Sequence, residues 1–309
     1  MSATAQLLAD AGAAVAEAEF FRSREFMAAE GVTHTLRISA EGFEMLAPLV
    51  VREIPSANAI DATSPYGYPG VVAPQGVRFE PGEIDWSPTG LVSLFLRHRL
   101  GEPPLACASP RNEVQIADPA LPRKSRPSDR QQIRRNSERG YEVRRVQGPE
   151  ASEAYRSGFE AAYEQTMRRA GAGERYFFGG DYFARVLAFG DSSLFLALEP
   201  GGEVAAGSIA ARSDGMLHYY LSGTADRFLD DSPMKNVVAA IIDFAEQLGL
   251  PVNLGGGMKP GDPLEEFKRG FANRAEPFQT SEIVCDGQEY ERLAAGRDVG
   301  GFFPPYRAA

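Results

Sequence analysis

At 309 residues the chain exceeds one ordinary domain and points to two. Its apolar fraction of 43% and its 19 Phe suffice for large buried cores, while a formal net charge of -10 argues against a general nucleic-acid coat and leaves room for a local basic groove. Cys107 and Cys285 are too few and too far apart for a disulfide framework, so a reducing cytoplasm is expected.

The N-terminus, MSATAQLLADAGAAVAEAEFF, carries acids and has no positive start before an apolar run, so it does not read as a signal peptide. Residues 4–30 are expected to form one or two Ala-rich helices, the second ending at Gly31. Strand-like runs follow at 33–38, 43–54 and 57–62. The segment DATSPYGYPGVVAP, from Asp61 on, reads as a rigid, aromatic, non-helical loop. Residues 91–100 form a buried-looking element that ends in Arg97, His98 and Arg99, and 113–117 a further strand.

Residues 122–145 are the basic tract of the chain, with nine Lys or Arg against three acids. Ser128 and Gln131 match a capping box, and Gly140 suits the helix stop. Arg130, Arg134, Arg135 and Arg139 spread around the circumference of that helix. Two readings stand open: a solvated linker helix between domains, or a wall for phosphate or RNA backbone.

From Tyr141 the pattern becomes regular. Residues 141–147 read as a strand, 149–169 and 181–189 as helices, and 193–199, 203–212 and 216–222 as a three-stranded meander. Ser232 as N-cap and Pro233 at the first helical position open a helix to Leu248. Its aliphatic run at 237–242 is far short of a membrane span, so no integral membrane association is expected. A strand at 252–254, a short helix at 263–269 and a strand at 277–284 complete the order. The order β-α-α-β-β-β-α-β-α-β is that of the N-acetyltransferase (GNAT) fold, and helices followed by strands in the first half are compatible with a second, shorter copy. The expected class is therefore α/β (α+β), with tandem GNAT-like domains and mixed central sheets flanked by helices. The expected boundaries are 1–121 for a truncated first domain, 122–140 for the basic linker helix and 141–309 for the second domain.

The stretch NLGGGMKPGDPLEEFKRGF (253–271) carries the most chemistry. Asp262 can cap the helix and Pro263 suits its first turn; Glu265 and Glu266 lie where the helix dipole favours negative charge. Leu264, Phe267 and Phe271 are expected to form one apolar stripe, with Glu265, Glu266 and Arg269 facing away. At about 100° per residue, Lys268 falls within roughly 70° of the stripe's centre. It is either a lysine that snorkels to solvent or an ammonium placed to meet a developing negative charge. Gly255, Gly256 and Gly257 serve either a phosphate cradle or close sheet packing.

Other motifs are weaker. The segment SGTADRFLDDSPMKNVV holds a single glycine where a CoA-binding turn would need several, and Asp226, Asp230 and Asp231 would compete with a phosphate at that helix N-terminus. His34, His98 and His218 are dispersed, so no metal site is expected, and no nucleophile elbow occurs. Tyr219 and Tyr220 point to opposite faces of their strand, one toward the core and one toward the cleft.

Six segments taken in order resemble the FemAB-like branch of the GNAT superfamily, the peptidoglycan interpeptide-bridge aminoacyltransferases and their stand-alone relatives. They are DATSPYGYPG (61–70), RQQIRRNSERGYEV (130–143), YEQTMRRAGAGERYFF (163–178), HYYLSGT (218–224), SPMKNVVAAIIDFAEQLG (232–249) and LGGGMKPGDPLEEFKRGF (254–271). The resemblance implies an enzyme that takes an aminoacyl group from aminoacyl-tRNA without CoA or any other cofactor and forms an amide on an acceptor amine. Phe267 and Lys268 match the family's Phe-Lys pair at the reacting centre. Asp61 matches an acid that orients or deprotonates the acceptor, with Tyr66 in the adjoining turn, and Arg169 matches an arginine that grips an acceptor phosphate. Tyr176, Tyr219 and Tyr220 match nearby aromatic positions, and Arg130, Arg134 and Arg135 would face tRNA phosphates.

Two departures from the family pattern bear on the acceptor. The first half is short, and no long helical arm is inserted. A small amine of natural-product biosynthesis is therefore as compatible as a muropeptide precursor. The alternative enzyme is a CoA-dependent N-acyltransferase with acetyl-CoA or acyl-CoA as donor, and a catalytically silent GNAT-fold binding protein is the non-enzymatic alternative.

Overall fold

The N-terminal segment departs from expectation. In the computed structural model, which describes residues 3–55, 57–297 and 299–308, the run Ala3–Leu8 is a strand. It pairs antiparallel with His34–Ala40, and Ala3 and Ala5 are buried beneath it. Strand pairing over an apolar layer overrides the helical propensity of an Ala-rich sequence. Only Arg24–Ala29 becomes α-helix in this region, capped by Ser23, whose hydroxyl accepts the Phe26 amide at 3.2 Å.

In chain order the elements are β1 (Ala3–Leu8), α1 (Arg24–Ala29), β2 (His34–Ala40), β3 (Phe43–Glu53), β4 (Ile60–Thr63), β5 (Ile84–Asp85), β6 (Leu91–Arg97) and β7 (Ser109–Ala117). Then follow α2 (Pro127–Glu138), β8 (Glu142–Gln147), α3 (Glu153–Arg169), α4 (Gly180–Ala188), β9 (Ser192–Leu198), β10 (Val204–Ser213) and β11 (Met216–Thr224). The chain ends with α5 (Met234–Leu248), β12 (Val252–Gly255), α6 (Pro263–Arg269), β13 (Arg274–Val284) and α7 (Gly287–Ala294).

These elements fall into two units, one made of residues 1–17, 21–111 and 277–309, the other of 18–20 and 112–276. The expected boundaries at 121 and 141 are displaced. Residues 122–140 lie inside the second unit, and residues 277–284 of β13 belong to the first, where 280–284 pair with β6. The reason is the pattern of strand pairing, which sequence order does not reveal.

In the first unit the strand order is β5-β1-β2-β3-β4-β6-β13. The pairs β1·β2, β2·β3 and β3·β4 are antiparallel, β4·β6 is parallel and β6·β13 is antiparallel. In the second the order is β8-β9-β10-β11-β12-β7, with three antiparallel pairs, a parallel β11·β12 pair and an antiparallel β12·β7 pair. Apart from the short β5, the two topologies coincide strand for strand. The tandem organisation is thus present in the backbone, although no repeat is visible in the sequence.

The second unit's sheet is covered on both faces. Phe195, Ala197, Ala206, Ala210, Leu217 and Tyr219 share one core with Val237, Val238, Ile241 and Ala245 of α5. Alternate residues meet α3: a Cβ at Gly223 would lie 2.4 Å from the Tyr163 Cα, and one at Gly207 would lie 2.9 Å from the Phe159 ring. Glycine lets the helix seat directly on the strands there. At α5 the expected Ser232 cap is replaced, since Ser232 takes a left-handed conformation (φ 47°) and Pro233 occupies the cap position. Gly249, at φ 67°, ends the helix.

Candidate active site

β11 and β12 run parallel over a short ladder, Leu217 with Val252 and His218 with Asn253, and part beyond it. β11 continues to Thr224 without a partner on β12. The carboxyl ends of separating parallel strands are where open α/β sheets take their ligands. Here β12 feeds the glycine loop and α6.

The predicted bounds of α6 and its Asp262 cap are observed, but its buried face is not the expected one. Leu264 is 42% exposed and Phe267 half-buried, while Glu265 and Lys268 are buried together with Phe271. Glu265 tolerates burial because its carboxylate accepts the Gly261 amide at 2.8 Å and pairs with Arg269. Lys268 is therefore no snorkelling residue at a helix edge. It is 8% exposed, and its Nζ donates to the Gly256 carbonyl at 2.6 Å. Burial lowers its pKa to about 8, against an opposing pull from the Asp262 carboxylate.

The glycines make this approach possible. A Cβ at Gly255, whose φ is +76°, would sit 3.1 Å from the Lys268 Nζ, and a Cβ at Gly256 would lie 2.6 Å from both the Asn112 amide nitrogen and the Glu113 carbonyl. They serve close packing of loop, strand and ammonium. Asp262 ties the loop to α6: one carboxylate oxygen accepts the Glu265 amide at 2.8 Å, and the other accepts Met258 at 2.6 Å and Lys259 at 3.0 Å.

α2 holds α6 and α5 from outside. Arg126 pairs with Glu266 at 3.0 Å, Asp129 with Lys235 at 2.9 Å, and Asn136 bonds both the Asp231 carbonyl and the Asn236 side chain at 2.8 Å. It is an anchored helix of the second unit, not a solvated linker. Its expected Ser128 capping box does not form because Pro127 takes the first helical position and Arg126 the cap. Arg134 pairs with Glu138 at 3.6 Å, Arg130 bonds the Ser125 carbonyl, and Arg135 reaches Gln132 at 3.5 Å. Arg123, at 2.5 Å from Asp243, and Arg139, with Asp231, are paired with acids as Arg134 is.

At the start of α5, the position of the CoA turn in a GNAT domain is a 3₁₀ segment, Asp226–Asp231. Its amides are committed locally: Asp226 to the Gln165 side chain, Phe228 to Ala225 and Ser232 to Leu229, with Lys235 bonded back to Ser232. The Asp231 carboxylate takes the Tyr141 hydroxyl at 2.7 Å as well as Arg139.

The other sequence-predicted residues are placed as follows. Arg169 pairs with Asp226 and donates to Thr166 at 3.1 Å. Tyr176 accepts from Arg175, which also lies over its ring. Tyr219 and Tyr220 do face opposite ways. Tyr219 is a core residue under α5, its phenol pushed up to about 12 by burial, whereas Tyr220 meets the Tyr182 hydroxyl and the Phe20 ring. A β-bulge at this point leaves Tyr220 as the extra residue, since Ile209 faces Leu221 and Ala210 faces Tyr219.

In the first unit Tyr66 is exposed, its amide held by Glu30 at 2.9 Å. Asp61 is fully buried, with one oxygen on Arg52 at 2.9 Å and both on Arg307, at 2.9 and 3.0 Å. That carboxylate is saturated by two guanidinium groups. Among the described residues no group of three or more His, Cys, Asp or Glu is placed to hold a metal ion. Nor is any helix among them long and apolar enough to cross a membrane.

Two site neighbours escaped the sequence reading: Asn112, whose side chain donates to the Gly257 carbonyl at 3.3 Å, and Gln115, only 3% exposed. The available signal was a glutamine inside the otherwise apolar run VQIA.

Residues 123–269 match the family model described as "Acetyltransferase (GNAT) domain". Among solved structures, FemX is similar over 88% of this chain and 93% of its own, with 11% identity and a TM-score of 0.60. L-PGS from Bacillus licheniformis is similar over 82% and 84%, with 10% identity and a TM-score of 0.53. No curated protein matches the sequence. Residues 123–269 thus match a GNAT domain model, and the fold of the chain is similar to that of FemX.

Proposed function

We propose that this protein is an acyltransferase that moves an aminoacyl group from aminoacyl-tRNA to an acceptor amine, with Lys268 at the reacting centre. The observation that carries the reading is the buried ammonium beside the glycine loop, where β11 and β12 part. In aminolysis the amine lone pair attacks the ester carbonyl carbon and a tetrahedral oxyanion forms. The bond to the ribose oxygen then breaks as a proton passes from the amine nitrogen to that leaving oxygen. Such chemistry needs positioning and a cation at the developing charge more than strong acid–base power.

Lys268 fits that need. An ammonium has three N–H donors, of which the Gly256 carbonyl takes one. A charged oxyanion competes well against a neutral carbonyl for such a donor. A pKa of about 8 keeps most of the group charged at neutral pH. Phe267, half-buried beside it, would contact the substrate, and Arg169 would take a phosphate by exchanging Asp226.

The occupied amides ahead of α5 support a donor other than CoA, since a pyrophosphate would need them free. The resemblance of the sequence segments to the FemAB-like enzymes implies an amine acceptor on a cell-wall precursor, and a small metabolite amine is the other acceptor class. The test is ribonuclease-sensitive amide formation from a pool of charged tRNA and candidate amines. Amide formation lost on ribonuclease treatment is expected. Thermal stabilisation by acetyl-CoA, with acyl transfer from it, would overturn the tRNA donor.

A further inference from the structure

Gln115 has a position its chemistry does not otherwise explain. It lies on β7, is 3% exposed, and its Nε2 is a buried donor with no hydrogen-bond partner among the described residues. Burying an unpaired amide opposes folding, so the residue earns no stability from this placement.

Its direction follows from Ala117, two residues on along β7 and so on the same face, which shares one core with α5 and Phe271. Phe271 lies on the buried side of α6 with Lys268. Across the strand Gln115 pairs with Gly255, just past a register shift on β12 after Asn253. The Cβ position of Gly255 lies 3.1 Å from the Lys268 Nζ. Gln115 therefore neighbours the glycine that adjoins the ammonium, on the face that Phe271 packs against. Asn112 holds the neighbouring Gly257 carbonyl from the same strand.

We infer that Gln115 is a second hydrogen-bond donor of the reacting centre, its carboxamide N–H acting beside the Lys268 ammonium on the oxyanion of the acyl-transfer intermediate. This rests on the acyltransferase reading above. A neutral donor beside a cation is suited to an oxyanion because it adds a hydrogen bond without a second buried charge. Gly255, lacking a side chain, places no Cβ between them.

Two measurements test it. With only four lysines in the chain, ¹³Cε-lysine labelling gives four signals, and Lys268→Met identifies that of Lys268. In Gln115→Glu a carboxylate facing the ammonium is expected to raise the Lys268 titration midpoint by about one pH unit or more; an unmoved midpoint would overturn the juxtaposition. In Gln115→Leu, kcat for amide formation is expected to fall by roughly 10²-fold with KM little changed and with an unfolding midpoint at or above that of the unaltered protein. Wild-type kcat, or a loss of activity matched by a loss of stability, would overturn the catalytic role. Absence of amide formation by the unaltered protein would sink the acyltransferase reading itself, while the lysine titration would still decide the pairing.

Discussion

Lys268 and Gly256 are joined by a 2.6 Å hydrogen bond from ammonium to carbonyl, made under a loop whose glycines leave no side chain in the way. The charge is buried where a neutral residue would fold at lower cost. On the proposed function, the charge serves the reaction rather than stability.

That cost is measurable. Unfolded, Lys268 titrates near the ordinary lysine value of 10.5; folded, burial brings it to about 8. Protons therefore favour the unfolded chain. The penalty is complete below pH 8, where it is on the order of 3 kcal/mol, and fades as pH rises from 8 to 10.5. Lys268→Met, which keeps the stem and removes the charge, is expected to be as stable as the unaltered protein or more so at pH 7, with the gap narrowing toward pH 10. Urea unfolding at both pH values checks this. A variant less stable by the same margin at each pH would contradict it.

Asp61 is expected to act on stability first. Removing one partner of a buried ion pair leaves an uncompensated charge, at about 3–5 kcal/mol, and here Arg52 and Arg307 both lose the carboxylate that pairs with them. Asp61→Asn should lower the melting temperature by many degrees. Unchanged melting with lost activity would instead restore Asp61 to the acceptor site.

Asp262→Ala removes a helix cap worth about 1 kcal/mol, together with two further amide contacts from the glycine loop. Although burial opposes its ionisation, these backbone amides hold its pKa below 3.8, so its contribution stands above pH 3.8 and is lost as pH falls through the lowered value. The same carboxylate is the charge that supports the Lys268 ammonium. In the alanine variant the lysine should titrate below 8, read from its ¹³Cε signal. An unchanged midpoint would contradict that coupling.

Local signals made parts of this fold legible. Asp262, Pro263 and Gly270 fixed α6 to the residue, and the turn glycines bounded the β9–β11 meander. What failed was non-local. The Ala-rich start becomes a strand because β2 is there to pair with it. The buried face of α6 could not be read because Glu265 is neutralised by Arg269 and the Gly261 amide, contacts that hydrophobic periodicity ignores. Asp61 looked free in sequence, whereas Arg307, which holds it, lies 246 residues away. Gln115 was invisible for the same reason, since its meaning depends on the register of β7 against β12.

On the proposed function the Lys268 charge stabilises the transition state of amide formation. The most direct measurement is kcat of Lys268→Met with charged tRNA and an accepted amine, beside an unfolding curve of the same preparation. A loss of roughly 10²-fold or more, with folding intact, is the expected result. Turnover close to that of the unaltered protein would contradict it.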